Sequence, residues 1–266
     1  MFKNKYDFIT VLGIAIGSLL NSAGYLAASV RRIIVSETAD VSISRISCLI
    51  QAAHVMFYQI GMVMLFLSLL TLCGDRLISV LTVRWARMIS AAVALRVLVL
   101  NILIACMWYL VTFVSAFTLR NQMISAKCFH AETIGYAAFQ GFLLFPVMAS
   151  GIIVVCHVVL LIVIVKRRND ENLSDSNQRV AAIVPRHVMI VNTLLFLFQF
   201  PCLVSGLVIR PKSYQAIVAK NYIWIFAAAC CSVFPTSHCW FTPELKSAFV
   251  KKFFSFRSYA TVHTIS

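Results

Sequence analysis

The stretch CLIQAAHVMFYQIGMVMLFLSLLTLCGDRLISV, residues 48–80, decides how the rest of the chain is read. It opens on Cys48, continues as a mostly apolar run of helix length, and closes on Cys73-Gly74-Asp75-Arg76. About 20 apolar residues in a helix cross the roughly 30 Å hydrocarbon core of a bilayer. The acidic–basic pair Asp75-Arg76 then stands where such a helix would meet water, with a cysteine at its opposite end.

Composition extends that reading to the whole chain. The 266 residues are 61% hydrophobic and only 12% charged, whereas soluble domains average about 45–50% apolar and about 25% charged. Mean hydropathy is +0.90. So little polar surface cannot cover a soluble core, and an integral membrane protein is expected. The net charge of +14 fits basic loops on the cytosolic side of a membrane. A nucleic-acid surface is not expected, because the long apolar runs leave no soluble domain to carry a basic face.

Six stretches are long and apolar enough to span: Phe8–Val30, Cys48–Leu72, Ile89–Phe117, Tyr136–Val165, Ile183–Ile209 and Ile217–Phe241, here segments A to F. Backbone groups in hydrocarbon must be satisfied internally, so each is expected to be a helix. No two-residue alternation points to a barrel. The expected fold is all-α, one polytopic bundle over residues 1–266. Thr242-Pro243-Glu244-Leu245 reads as a helix start. Leu245, Phe249, Phe253 and Phe256 follow at helical spacing among Lys246, Lys251, Lys252 and Arg257. Residues 243–256 are therefore expected to form a short amphipathic helix on the membrane surface.

Orientation follows from the basic residues. The N-terminus (Lys3, Lys5), the B–C loop (Arg76, Arg84, Arg87), the D–E loop (Lys166, Arg167, Arg168, Arg179, Arg186) and the tail hold fourteen. The A–B loop (Arg31, Arg32, Arg45), the C–D loop (Arg120, Lys127) and the E–F loop (Arg210, Lys212, Lys220) hold eight. Both termini are expected in the cytosol. Segment A is longer than a signal-peptide core and is expected to be retained. Asn172-Leu173-Ser174 would then face the cytosol, away from glycosylation.

Ionisable groups inside a membrane mark catalysis or ion coupling. Here Arg96 is the only full charge well inside an expected span, and it lies within snorkelling reach of the cytosolic side. His54, His157, His187 and His238 are scattered, and no nucleophile elbow, HExxH or P-loop is present. An enzyme is not expected, nor a cofactor or metal. Most of the nine cysteines read as small packing residues. Cys48 and Cys128 both fall on the expected outer side, where disulfides form. A bridge between them would pin the C–D loop across the mouth of the bundle; two unrelated thiols are the alternative. Pro146, Pro201 and Pro235 free backbone carbonyls and permit kinks, which are also ordinary packing features.

Taken in order, Cys48, Asp75-Arg76, Cys128, Phe198-Gln199-Phe200-Pro201, Pro235 and Thr242-Pro243-Glu244-Leu245-Lys246 resemble a rhodopsin-like G-protein-coupled receptor. Gly74-Asp75-Arg76-Leu77-Ile78-Ser79-Val80-Leu81 and the Pro-Glu-Leu-Lys ending look most like the nematode serpentine chemoreceptors, closest to the Srsx class. The resemblance covers nearly the whole chain. It aligns segments A to F with helices two to seven of a seven-helix receptor, the first being absent. Departures are Ser18 where the family has a buried Asp, Gln199 where a Trp is common, and Phe234-Pro235-Thr236-Ser237-His238 for Asn-Pro-x-x-Tyr.

The resemblance implies a chemosensory receptor for a small molecule or peptide, placed in the plasma membrane of sensory neurons. It implies that Asp75, Arg76 and Pro235 couple the bundle to a heterotrimeric G protein, and that His54, Tyr58, Gln59, Gln199 and Tyr222 line the ligand's place. Two other readings are kept. One is a non-signalling, truncated receptor-like protein. The other is a transporter or channel subunit, for which paired intramembrane charges, repeats or glycine-broken helices would be the marks.

Overall fold

The computed structural model describes residues 3–36, 41–81 and 90–169. These are mostly helical: α1 (Lys3–Ser36), β1 (Ser42–Ser44), α2 (Arg45–Gln51), α3 (Ala53–Leu81), α4 (Ala91–Thr118), β2 (Met123–Ser125), α5 (His130–Ile134) and α6 (Tyr136–Asn169). Within them, Ile9–Val35, Ala53–Ser79, Ala91–Thr118 and Tyr136–Val163 are long and apolar enough to cross a membrane. At 1.5 Å per residue each reaches about 40 Å, more than a hydrocarbon core requires. Segments E and F, the 243–256 helix, Gln199, Tyr222 and Pro235 lie outside the described residues.

α3 is the axis of the bundle. Met62, Val63, Met64, Leu65, Phe66 and Leu69 on it are all buried, which a two-sided polar helix could not do. α1 runs antiparallel against α3 at backbone contact distance. A Cβ on Gly17 would come 2.7 Å from the Leu65 amide nitrogen, and one on Gly24 would come 2.9 Å from that of Tyr58. A Cβ on Gly61 would collide with Asn21 N. With no aqueous driving force between helices in lipid, such close backbone packing is what holds a pair together.

α4 touches the bundle by one narrow seam. Its buried residues are Ala94, Leu98, Asn101, Ala105, Thr112 and Ala116, three, four or seven apart. Leu95, Val99, Leu103, Leu110, Val111 and Val114 are exposed. Apart from Leu98, small and polar side chains face the protein while large apolar ones face out, the reverse of a soluble helix and the pattern that a lipid-facing helix shows. α6 is apolar on both sides, with Phe142, Leu143, Ala149, Ile153 and Leu160 inside and Leu144, Met148, Val155 and Ile162 outside.

Three expectations change in detail. Segment B is not one helix beginning at Cys48. Ser44 caps α2, its hydroxyl accepting from Ser47 N at 3.3 Å, and the helix breaks at Ala52 (φ −99°, ψ 71°). Moreover, α3 runs on to Leu81, so Asp75-Arg76 lies within the helix rather than at its end. The helices also outlast their apolar runs: α1 reaches Ser36 and α6 reaches Asn169. Hydropathy marks where a helix leaves hydrocarbon, whereas backbone hydrogen bonding decides where it stops. Finally, the all-α expectation omitted a two-stranded antiparallel sheet. β1 pairs with β2 in the register Ser42↔Ser125, Ile43↔Ile124 and Ser44↔Met123.

Candidate functional site

The two ends of α3 are chemically unlike. At one end Cys48 and Cys128 are joined, with Cα atoms 5.7 Å apart. The bond ties α2 to the α4–α6 connection. Cys128 takes φ 51°, in the left-handed region that non-glycine residues seldom enter. Around it the connection is well anchored. Arg31 Nε on α1 donates to Ala126 O at 3.1 Å, Arg45 N donates to Gln122 O at 2.9 Å, and Ala126 N donates to Val41 O at 3.0 Å. α5 ends at Gly135, whose φ of 89° suits glycine.

His54 and Tyr58, one turn apart on α3, meet this connection. His54 Nε2 lies 3.1 Å from Cys128 O, and since a carbonyl only accepts, Nε2 carries the proton of this bond. Tyr58 Oη accepts from Tyr25 Oη of α1 at 3.1 Å, and the two rings stand edge to face, 5.0 Å apart. On its other side Tyr58 meets His130 edge-on at 5.1 Å and Phe142 at 5.5 Å. His130 also meets Phe139 at 5.4 Å and Phe142 at 5.1 Å. One imidazole is thus boxed by three aromatic rings from α3 and α6.

Both ring nitrogens of His130 are out of solvent and without a hydrogen-bond partner. Burial, aided by the nearby His54 and Arg32, holds its pKa down at about 3, so the ring is neutral at physiological pH. Arg32 sits over the neighbouring Phe129 ring, 5.1 Å from its centroid, and its Nε is also buried without a partner.

Gln59 goes elsewhere. It is fully buried and turned to α4, where the Thr112 hydroxyl lies 2.7 Å from Gln59 Oε1. The same hydroxyl lies 2.7 Å from Tyr109 O, and its single proton serves one acceptor at a time. Gln59 therefore joins two helices, apart from the aromatic box of His54, Tyr58 and His130.

Toward the other end of α3, Asp75 and Arg76 are both 8% exposed. Adjacent residues on a helix point about 100° apart, so each is directed to its own surroundings. Above them Thr71 accepts from Asn101 Nδ2 of α4 at 3.4 Å, and Cys73 Sγ donates to Ile153 O of α6 at 3.8 Å. α3 is thus stitched to both flanking helices just before the charged pair.

Arg32 and His130 were not among the residues singled out by sequence. His130 follows Cys128 by two positions, and that proximity to a bridging cysteine was the available signal. No protein-family model matches the chain, and a search of curated proteins finds no match either.

Proposed function

We propose that this chain is a G-protein-coupled chemosensory receptor of the rhodopsin-like kind, most like the Srsx class of nematode chemoreceptors. The observation that carries the reading is the polarity of α3: a bridged cysteine packed at one end and a buried Asp75-Arg76 pair near the other. In this reading the disulfide end faces outside and the Asp75-Arg76 end faces the cytosol, together with both termini. The protein sits in the plasma membrane of a sensory neuron. α1, α3, α4 and α6 stand for helices two to five of the receptor.

A small molecule or peptide bound beside His54 and Tyr58 shifts an existing equilibrium toward a form whose cytosolic face is open. Arg76 then leaves its buried position and meets the G protein. The reading is tested by co-expressing the full chain with a panel of G proteins and screening odorants for nucleotide exchange. Arg76→Ala should abolish stimulated exchange while surface delivery is retained. Stimulated exchange that survives in Arg76→Ala overturns the role given to Arg76, and a chain that activates no G protein overturns the reading.

A further inference from the structure

The disulfide end holds more positive charge and more idle donors than its own contacts use. Arg31 is committed, donating from Nε to Ala126 O at 3.1 Å and from Nη1 to Gln51 O at 3.5 Å. Arg32 stacks on Phe129, but its Nε is buried with no acceptor. Arg45, 5% exposed, has Nε and Nη1 in the same condition, and Nη1 lies 3.6 Å from where a Cβ on Gly135 would stand. Arg32 and Arg45 therefore flank α5 near its two ends. His130, the first residue of α5, has two dry and unpartnered nitrogens. Among the described residues Glu132 is the one acid at this end, and it is exposed. Glu37 and Asp40 lie outside the described residues.

A buried donor left without an acceptor is costly, and a charged one more so. The same donors cost nothing once an anion supplies the acceptor, and a guanidinium does this best with a carboxylate, two oxygens against two N–H groups. The surroundings set the rest of the ligand. Phe129 lies under Arg32, and Tyr58, Phe139 and Phe142 surround His130. An apolar or aromatic body suits the Phe129 face, 37% exposed, which an inorganic anion would leave unused; the rings around His130 are already packed on the imidazole.

We propose that Arg32 and His130 form a carboxylate-accepting subsite, and that the molecule it takes is a small organic acid with an apolar body. Arg32 takes the carboxylate, His130 donates one hydrogen bond to it, and Arg45 adds a favourable field from the far side of α5. The inference rests on the receptor reading in treating this end as the ligand's entrance. Its test reads binding alone, so a chain that binds acids without coupling, or couples without binding acids, separates the two.

The full chain is purified in a non-ionic detergent, and its thermal unfolding is followed with phenylacetate and octanoate, and with the neutral phenylacetamide and octanamide. Both acids should raise the unfolding midpoint and the amides should not. Arg32→Gln should weaken the apparent affinity about tenfold or more, the scale of one lost charge-assisted contact, while Arg120→Gln, at an exposed arginine of the same connection, leaves it unchanged. Should Arg32→Gln fail to fold, Arg32→Lys, which keeps the charge and loses the fork, and His130→Phe, which keeps the ring packing, should each weaken it. No shift with either acid, an equal shift with the amides, or affinity indifferent to Arg32 and His130 overturns the proposal.

Discussion

Tyr25 of α1 donates its hydroxyl proton to Tyr58 of α3 across 3.1 Å, and Tyr58 in turn abuts His130 of the bridged connection at 5.1 Å. Two long apolar helices and the bridged connection therefore share one side chain. A change at Tyr58 is felt in α1, in α6 and beside the disulfide at once. Tyr58→Phe keeps the ring and removes the acceptor of Tyr25, at a cost of about 1 kcal/mol. Tyr58→Ala also opens the box around His130 and should cost about 3–5 kcal/mol. Thermal unfolding of the two variants separates the hydroxyl from the ring.

The bond between Cys48 and Cys128 closes a loop across 80 positions of sequence. On the chain-entropy account a loop of that length stabilises by about 4.5 kcal/mol. Cys48→Ser, Cys128→Ser and the double variant should lose the same amount, because each removes one bond. Unfolding midpoints with and without reductant check this, and a double variant clearly worse than either single one would mean that the two thiols act apart.

Gly61 and Gly141 make a matched pair. A Cβ on Gly61 runs into the Asn21 backbone of α1, whereas one on Gly141 meets nothing within 4 Å. Gly61→Ala should destabilise by about 1–3 kcal/mol as the helices are forced apart. Gly141→Ala should be neutral, or stabilising by up to about 1 kcal/mol from the gain in helix propensity. Unfolding in micelles distinguishes them.

His130 gives the disulfide end a sensitivity to acid. Its pKa is about 3 in the folded protein, against about 6.5 for a free histidine. The folded state therefore binds its proton more weakly than the unfolded one. The contribution to stability is complete above about pH 6.5 and is lost as pH falls toward 3, at about 1.4 kcal/mol per pH unit. His130→Phe should flatten that part of the stability profile between pH 6.5 and 4.

The Gln59–Thr112 contact is worth a double-mutant cycle. Thr112→Val leaves the buried Gln59 amide short of a partner and should cost about 1 kcal/mol or slightly more. Adding Gln59→Leu should recover part of that loss. Additive losses would show that the 2.7 Å contact contributes nothing.

The apolar runs over α1, α3, α4 and α6 were plain in the sequence, because lipid imposes a length and a composition that can be counted. The break at Ala52 was not, since no glycine or proline announces it. There the capped start at Ser44 and the bond at Cys48 orient one helix, while packing against α1 orients the next. Of the site, His54 and Tyr58 could be found as polar and aromatic residues on the first turns of an apolar helix. Gln59 looked identical in sequence, yet one residue of helical rotation turns it to α4. Arg32 and His130 could not be paired from sequence, for 98 positions separate them and only the folded connection, with Phe129 under Arg32 and His130 next in the chain, brings them to the same end of the bundle.

The bridge has a topological consequence. Residues 48 to 128 form a closed covalent ring, and α3 and α4 both lie inside it. Cleavage anywhere in the stretch that joins them, residues 82–89, cuts the polypeptide without releasing either part. The nicked protein should migrate as one species without reductant and as two with it. Its helices should stay assembled, each fragment held by the other as well as by its own packing.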